Sequence, residues 1–221
     1  MKKLLYFFKK ISFILVILTP IEKTLSQDIE QLPFSKLPKF EESYKASSVT
    51  KRVIQGLGFR YYWGTYDLKE KDLNYRPSEK GMSSRETLEH IYSLSQTIYT
   101  TFAQKPKIYG EDYSILEFSY LRTETLLNLE KTVKILDNLK DEDVANLQIT
   151  FKSGKTENSY PFFYLLNGPI ADALTHVGQV ISFRRTSGNP IPKGVNVFMG
   201  IKNLKNHTTF EFLFVVGRFK I

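Results

Sequence analysis

The chain has 221 residues, enough for one ordinary domain or a tight pair, and its 42% hydrophobic and 14% aromatic content supplies a sizeable core and excludes a disordered chain. It contains no cysteine, which excludes disulfides, thiolate zinc sites, iron–sulfur clusters, a cysteine nucleophile and a lipid-anchored cysteine. The formal charge of +8 is concentrated at the start: residues 1–26 hold five lysines and one acid, leaving +4 on the remainder, too mild a balance to indicate a nucleic-acid partner.

Residues 1–10 form a cationic lead and residues 11–18 an unbroken apolar run, followed by small residues at Thr24 and Ser26 ahead of Gln27. This is the pattern of a signal peptide over residues 1–26. The apolar run is well short of the ~20 residues a spanning helix needs, so no membrane span is expected after cleavage. An uncleaved N-terminal anchor is the rival reading. The expectation is a protein exported from a bacterial cytoplasm, periplasmic or secreted.

Residues 27–47, punctuated by Pro33 and Pro38, read as an extended arm. Over residues 49–68, Val53, Ile54, Leu57, Tyr61 and Tyr62 recur at helical spacing. Gly56, Gly58 and Gly64 cost this first helix roughly 1 kcal/mol each, tolerable where another backbone packs close. A loop over residues 74–81 precedes a second helix, in which Ser83 and Glu86 have capping-box spacing. Leu88, Ile91, Tyr92, Ser95, Ile98, Tyr99 and Phe102 supply its buried face, and Lys105-Pro106 closes it. A third helix covers residues 119–139, with an inner stripe of Leu126, Leu129, Val133 and Leu136. Residues 147–151 alternate like a strand before a Ser153-Gly154 turn, predicting a short hairpin. The fourth helical region starts near Tyr160-Pro161, is interrupted at Asn167-Gly168, resumes with Pro169 at a first helical position, and stops at Ser187-Gly188-Asn189-Pro190.

The chain has three histidines. His90 lies on the second helix, and His176 on the fourth, four residues after Asp172. Residues i and i+4 stack on one helix face, so Asp172 and His176 present an oxygen and a nitrogen to one point. If the second and fourth helices adjoin, His90 completes a set of two imidazoles and one carboxylate. Such a set suits a borderline divalent cation, and Gln179, one turn on, can orient a ligand. The alternative is a solvated Asp–His pair beside a hydrogen-bonded core histidine. His207 reads as a surface residue. There is no GxSxG elbow, P-loop or complete GxGxxG, and no Ser/His/Asp triad assembles by pattern.

Several stretches together resemble the DinB-like superfamily of metal-binding four-helix bundles. They are Arg76-Pro77, Gly81-Met82-Ser83 and Glu86-Thr87-Leu88-Glu89-His90-Ile91; then Asn167-Gly168-Pro169-Ile170-Ala171-Asp172 with His176-Val177-Gly178-Gln179; and finally Phe183-Arg184-Arg185-Thr186-Ser187-Gly188-Asn189-Pro190 and Val195-Asn196-Val197-Phe198-Met199-Gly200. The resemblance covers roughly residues 49–200. It implies an all-α, up-down-down-up bundle over residues 48–200, and one metal-binding histidine on the second helix, which His90 matches. It also implies a His-x-x-x-His pair on the last helix. His176 matches its second member, and Asp172 stands where the first histidine falls. A carboxylate there puts negative charge on the metal and makes its water less acidic than three neutral imidazoles would.

The leading expectation is therefore a hydrolase using metal-bound water. The metal would be Zn, Ni, Fe or Mn, held by His90, Asp172 and His176, with Gln179, Trp63 and Tyr62 at a cleft for a small-molecule substrate; plain core packing is the favoured alternative for the two aromatics. A metal-dependent thiol S-transferase is the second reading, disfavoured by export. A non-catalytic exported bundle with a decayed site is the third. Residues 201–221, with Phe210, Phe212, Phe214 and Phe219, lie outside the resemblance. They pack on the bundle, mediate association into a homodimer, or are an aberrant end to the reading frame.

Overall fold

The computed structural model describes residues 32–203. The expected signal peptide, the first residues of the arm, His207 and nearly all of the 201–221 tail lie outside that range. In chain order the elements are helix α1 (Ala46–Gly64), the short α2 (Glu70–Leu73), α3 (Ser84–Phe102), strand β1 (Lys107–Ile108), α4 (Phe118–Leu136) and the short α5 (Asp141–Val144). Strands β2 (Gln148–Ser153) and β3 (Thr156–Pro161) follow, then the single turn α6 (Phe163–Leu165), a π-turn (Leu166–Ile170), α7 (Ala171–Thr186), β4 (Val195–Asn196) and β5 (Ile201–Lys202).

The expected helices form, within a few residues of their expected ends, for the expected reasons. Ser83 Oγ accepts from the Glu86 N–H at 3.1 Å while the Glu86 carboxylate accepts from the Ser83 N–H at 2.7 Å, so the capping box of α3 closes. Arg76 pairs with the same carboxylate at 2.8 Å and also donates to the Gly81 carbonyl, stitching the preceding loop to the helix start. Those contacts, Arg76 foremost and then the Ser83 N–H, hold the Glu86 carboxyl down at about 2. Gly168 departs from helical angles (φ −93°, ψ −105°) just before Pro169, which has no N–H to donate. The backbone takes up the mismatch as a π-turn, and α7 restarts at Ala171.

Each of the four long helices packs along two others: α4 and α7 both lie against α1 and against α3. Leu57, Leu88, Ile91, Leu126, Leu129 and Val177 fill the centre with almost no exposed surface. The glycines of α1 admit side chains rather than the neighbouring backbone expected from the sequence. A Cβ on Gly58 would lie 2.6 Å from the Phe34 ring, and one on Gly64 would lie 3.2 Å from Ile181.

The all-α expectation needs correcting. The β2–β3 hairpin is present, with Gly154 at φ +58° in its turn, but β1 adds in parallel to β2, giving a three-stranded mixed sheet in the order β1-β2-β3. Lys107 and Ile108 follow the expected closure of the second helix at Lys105-Pro106. Two residues carry no periodicity, and a parallel partner more than forty residues away leaves no local mark. A second small sheet pairs β4 with β5, so the first two residues of the 201–221 segment belong to a hairpin. Among the described residues no helix is long and apolar enough to cross a membrane.

Candidate metal centre

The donor cluster forms where α3 meets α7. His90 sits in the second turn of α3 and Asp172 in the first turn of α7, where the helix N-terminus favours a carboxylate. His176 follows one turn later. The structure brings all three together: one donor atom from each lies within 4.8 Å of the others. His90 Nε2 is 3.1 Å from Asp172 Oδ2, and His176 Nε2 is 3.2 Å from Asp172 Oδ1. The two imidazoles meet edge to face with centroids 4.7 Å apart. Side-chain exposure is 40% for His90, 43% for Asp172 and 14% for His176, so the cluster opens to solvent on the His90–Asp172 side.

Gln179 is where the spacing put it. Its Oε1 lies 2.8 Å from His176 Nδ1. With Gln179 Oε1 accepting, Nδ1 carries the hydrogen and a neutral ring leaves its Nε2 lone pair on the Asp172 side. A lone pair facing a carboxylate oxygen at 3.2 Å is a repulsive contact unless a proton or a cation lies between them. A tetrahedral ion with bonds of about 2.1 Å sets its donors about 3.4 Å apart. The His90 and His176 contacts run to different oxygens of Asp172, and with one donor atom from each residue the three lie within 4.8 Å of one another, so a bound ion would draw them closer together. The donor set fits one borderline divalent ion: two neutral nitrogens, one charged oxygen, and room on the exposed side for further ligands.

Trp63 and Tyr62 take the core-packing alternative and do not form the cleft wall. Both are buried in the core. Trp63 Nε1 donates to the Ser35 carbonyl at 3.0 Å, and Lys202 Nζ sits 4.8 Å over its ring. Tyr62 meets Trp63 edge to face, and the Arg122 guanidinium stacks on it from α4. The rings cover the end of α1 rather than line the donor cluster, because a large aromatic at helical spacing gains most by burying its area.

The sequence reading also missed a polar lock at the opposite end of α7. Arg184 is 1% exposed. Its Nη1 donates to the Trp63 and Gly64 carbonyls at 3.0 Å each, supplying partners for the last carbonyls of α1, and its Nε donates to the Asn189 carbonyl at 2.6 Å. The Asn189 amide donates in turn to Asp72 Oδ2 at 2.6 Å, and the Ser187 hydroxyl donates to Asp72 Oδ1. Burial pulls the Arg184 guanidinium down from its ordinary value, with Asp72 and Asp67 opposing. The run from Arg184 to Pro190 is thus a clamp joining α7 to α1 and α2. The one signal that pointed to it was the density of small and amide residues directly after a helix that ends in arginine.

No protein-family model matches the chain, and no curated protein matches it. Among solved structures it is similar to a DinB-like protein from Bacillus subtilis, at 19% identity over 67% of this chain and 90% of that one, with a TM-score of 0.39. It is also similar to a DinB family member from Shewanella denitrificans, at 14% identity over 73% of this chain and 93% of that one, with a TM-score of 0.41. Its structural neighbours are DinB-like proteins. At such scores the likeness carries no residue roles, and the case for the metal centre rests on its own donor atoms.

Proposed function

We propose that this chain is an exported, metal-binding bundle of the DinB-like kind. In this reading His90, Asp172 and His176 hold one Zn, Ni, Fe or Mn ion, and the protein hydrolyses a small-molecule substrate at that centre. The observation that carries it is the meeting of two imidazole Nε2 atoms on one carboxylate, with Gln179 Oε1 in hydrogen-bond reach of His176 Nδ1, which leaves Nε2 for an ion.

Contacts along the helices support the up-down-down-up order. The end of α1 meets the end of α7 through Gly64 and Ile181. The start of α4 meets the end of α1 through Arg122 and Thr65. Tyr92 and Tyr99 of α3 meet Tyr120 and Lys131 of α4 in the same sense, while the start of α3 lies near the end of α7 through Tyr75 and Phe183.

A bound divalent ion would supply Lewis acidity and lower the pKa of a water ligand there. The chain's part is to orient the donors: Gln179 fixes one imidazole, the edge-to-face packing of the rings fixes the other, and the half-exposed His90–Asp172 side admits a substrate. Elemental analysis of protein purified without a metal-chelating tag tests the reading. About one equivalent of transition metal is expected, lost in His90→Ala and in His176→Ala; metal-free protein, or retention by both variants, overturns it. Loaded protein is then screened against ester, amide and thiol-transfer substrates, where transfer without hydrolysis replaces the hydrolase reading.

A further inference from the structure

A groove of about 820 Å³ runs between α1 and α7, roofed by the segment that carries β4. Its α7 wall is Leu174, Val177, Gly178, Ile181 and Arg185. At about 100° per residue these lie across the helix from Asp172, His176 and Gln179, so the groove is separate from the metal centre. Its volume falls within the roughly 300–1,000 Å³ of small-molecule sites.

The chemistry of the walls is one-sided. The rest of the lining is largely aliphatic, including Val53 of α1, Leu174, Val177 and Ile181 of α7, and Ile191 and Val195 beyond it. Every charged residue lining the groove is an arginine: Arg52, Arg60 and Arg185. Among the described residues none of the three has a carboxylate within ion-pair distance. Arg52 donates to the Pro38 carbonyl at 3.0 Å and Arg60 to the Gly56 carbonyl at 3.1 Å, while Arg185 makes no side-chain hydrogen bond there. Arg52 and Arg60 lie two turns apart on α1, about 12 Å, with Arg185 in the last turn of α7. An apolar groove lined by three guanidiniums without a carboxylate partner among the described residues repels cations and complements an apolar body with an anionic head.

We propose that this groove binds a long-chain fatty acid. The acyl chain lies along the α1–α7 seam and the carboxylate meets Arg185, whose five donors have no competing partner among the described residues.

The full chain is titrated with hexadecanoate near neutral pH by displacement of a dansyl-labelled fatty acid, with hexadecanol as the uncharged control. Saturable binding of about one equivalent is expected, with the alcohol weaker by about tenfold or more, the scale of one charge-assisted hydrogen bond. Arg185→Gln should lose about the same factor and Arg185→Lys less, because the charge remains. A side chain on Gly178 meets nothing within 4 Å of its Cβ, so Gly178→Trp should fill the groove and abolish binding while the unfolding temperature and metal content stay unchanged. Equal affinity for acid and alcohol, or full binding by Gly178→Trp, overturns the proposal. So does the absence of binding by the intact chain, which would assign the groove to another occupant such as residues 204–221 or a second copy.

Discussion

Arg184 offers the sharpest test of how the fold is held. Arg184→Met keeps the length and apolar stem of the side chain but removes every donor. The Trp63 and Gly64 carbonyls, each 3.0 Å from Nη1 and buried with it, lose their partner, and so does the Asn189 carbonyl at 2.6 Å. A buried acceptor left unpaired costs about 1–3 kcal/mol. The two helix-end carbonyls are counted in full and the half-buried Asn189 lightly, because water reaches it. The loss is then roughly 3–5 kcal/mol. For a domain of this size each kcal/mol moves the melting temperature by about 2–4 °C, so thermal unfolding followed by circular dichroism should show a drop of roughly 6–20 °C. Arg184→Lys should fall between wild type and Met, since an ammonium cannot span both carbonyls and Asn189 as the planar fork does. The double variant with Asp72→Asn should lose less than the sum of the singles, because both residues act through Asn189. A Met variant within about 2 °C of wild type would sink the reasoning, and with it the claim that this guanidinium closes the end of α1.

Asp172→His should tighten metal binding measured by competition with a chromogenic chelator, since an imidazole replaces the carboxylate on the same face; unchanged affinity would remove Asp172 from the ligand set. Gln179→Leu leaves the three donors in place but frees the His176 ring. Metal affinity should fall about 10- to 100-fold, the usual cost of losing an outer partner, and an unaltered affinity would mean that the 2.8 Å contact orients nothing. Burial raises the Asp72 carboxyl, but the Ser187 hydroxyl, the Asn189 amide and the Lys69 N–H outweigh it and hold the group below its ordinary value. A depressed carboxyl contributes stability above its unfolded value, near 4, and loses it as the pH falls through the folded one. Asp72→Asn should therefore flatten the acid limb of stability below about pH 4, as read by denaturant unfolding across pH; a parallel curve for the variant would refute that assignment.

Much of this molecule is written locally. The capping box at Ser83 and Glu86, the i,i+4 stacking of Asp172 and His176, the turn at Gly154 and the break at Gly168-Pro169 each depend on atoms within a few residues of one another. Backbone geometry fixes those relations before any packing occurs, and all four stand in the structure where the sequence implied them. Tertiary structure alone decided which helices are neighbours. His90 reaches Asp172 across 82 positions only because α3 and α7 share a face, and that pairing is chosen by the summed burial of dozens of side chains. The same summation drew Trp63 and Tyr62 into the core, tucked a charged arginine beneath the end of α1, and laid β1 beside a strand from far along the chain. Short-range hydrogen bonding can be read one turn at a time. Burial is a property of the whole chain at once, so what a side chain ends up facing is settled only when every helix has found its place.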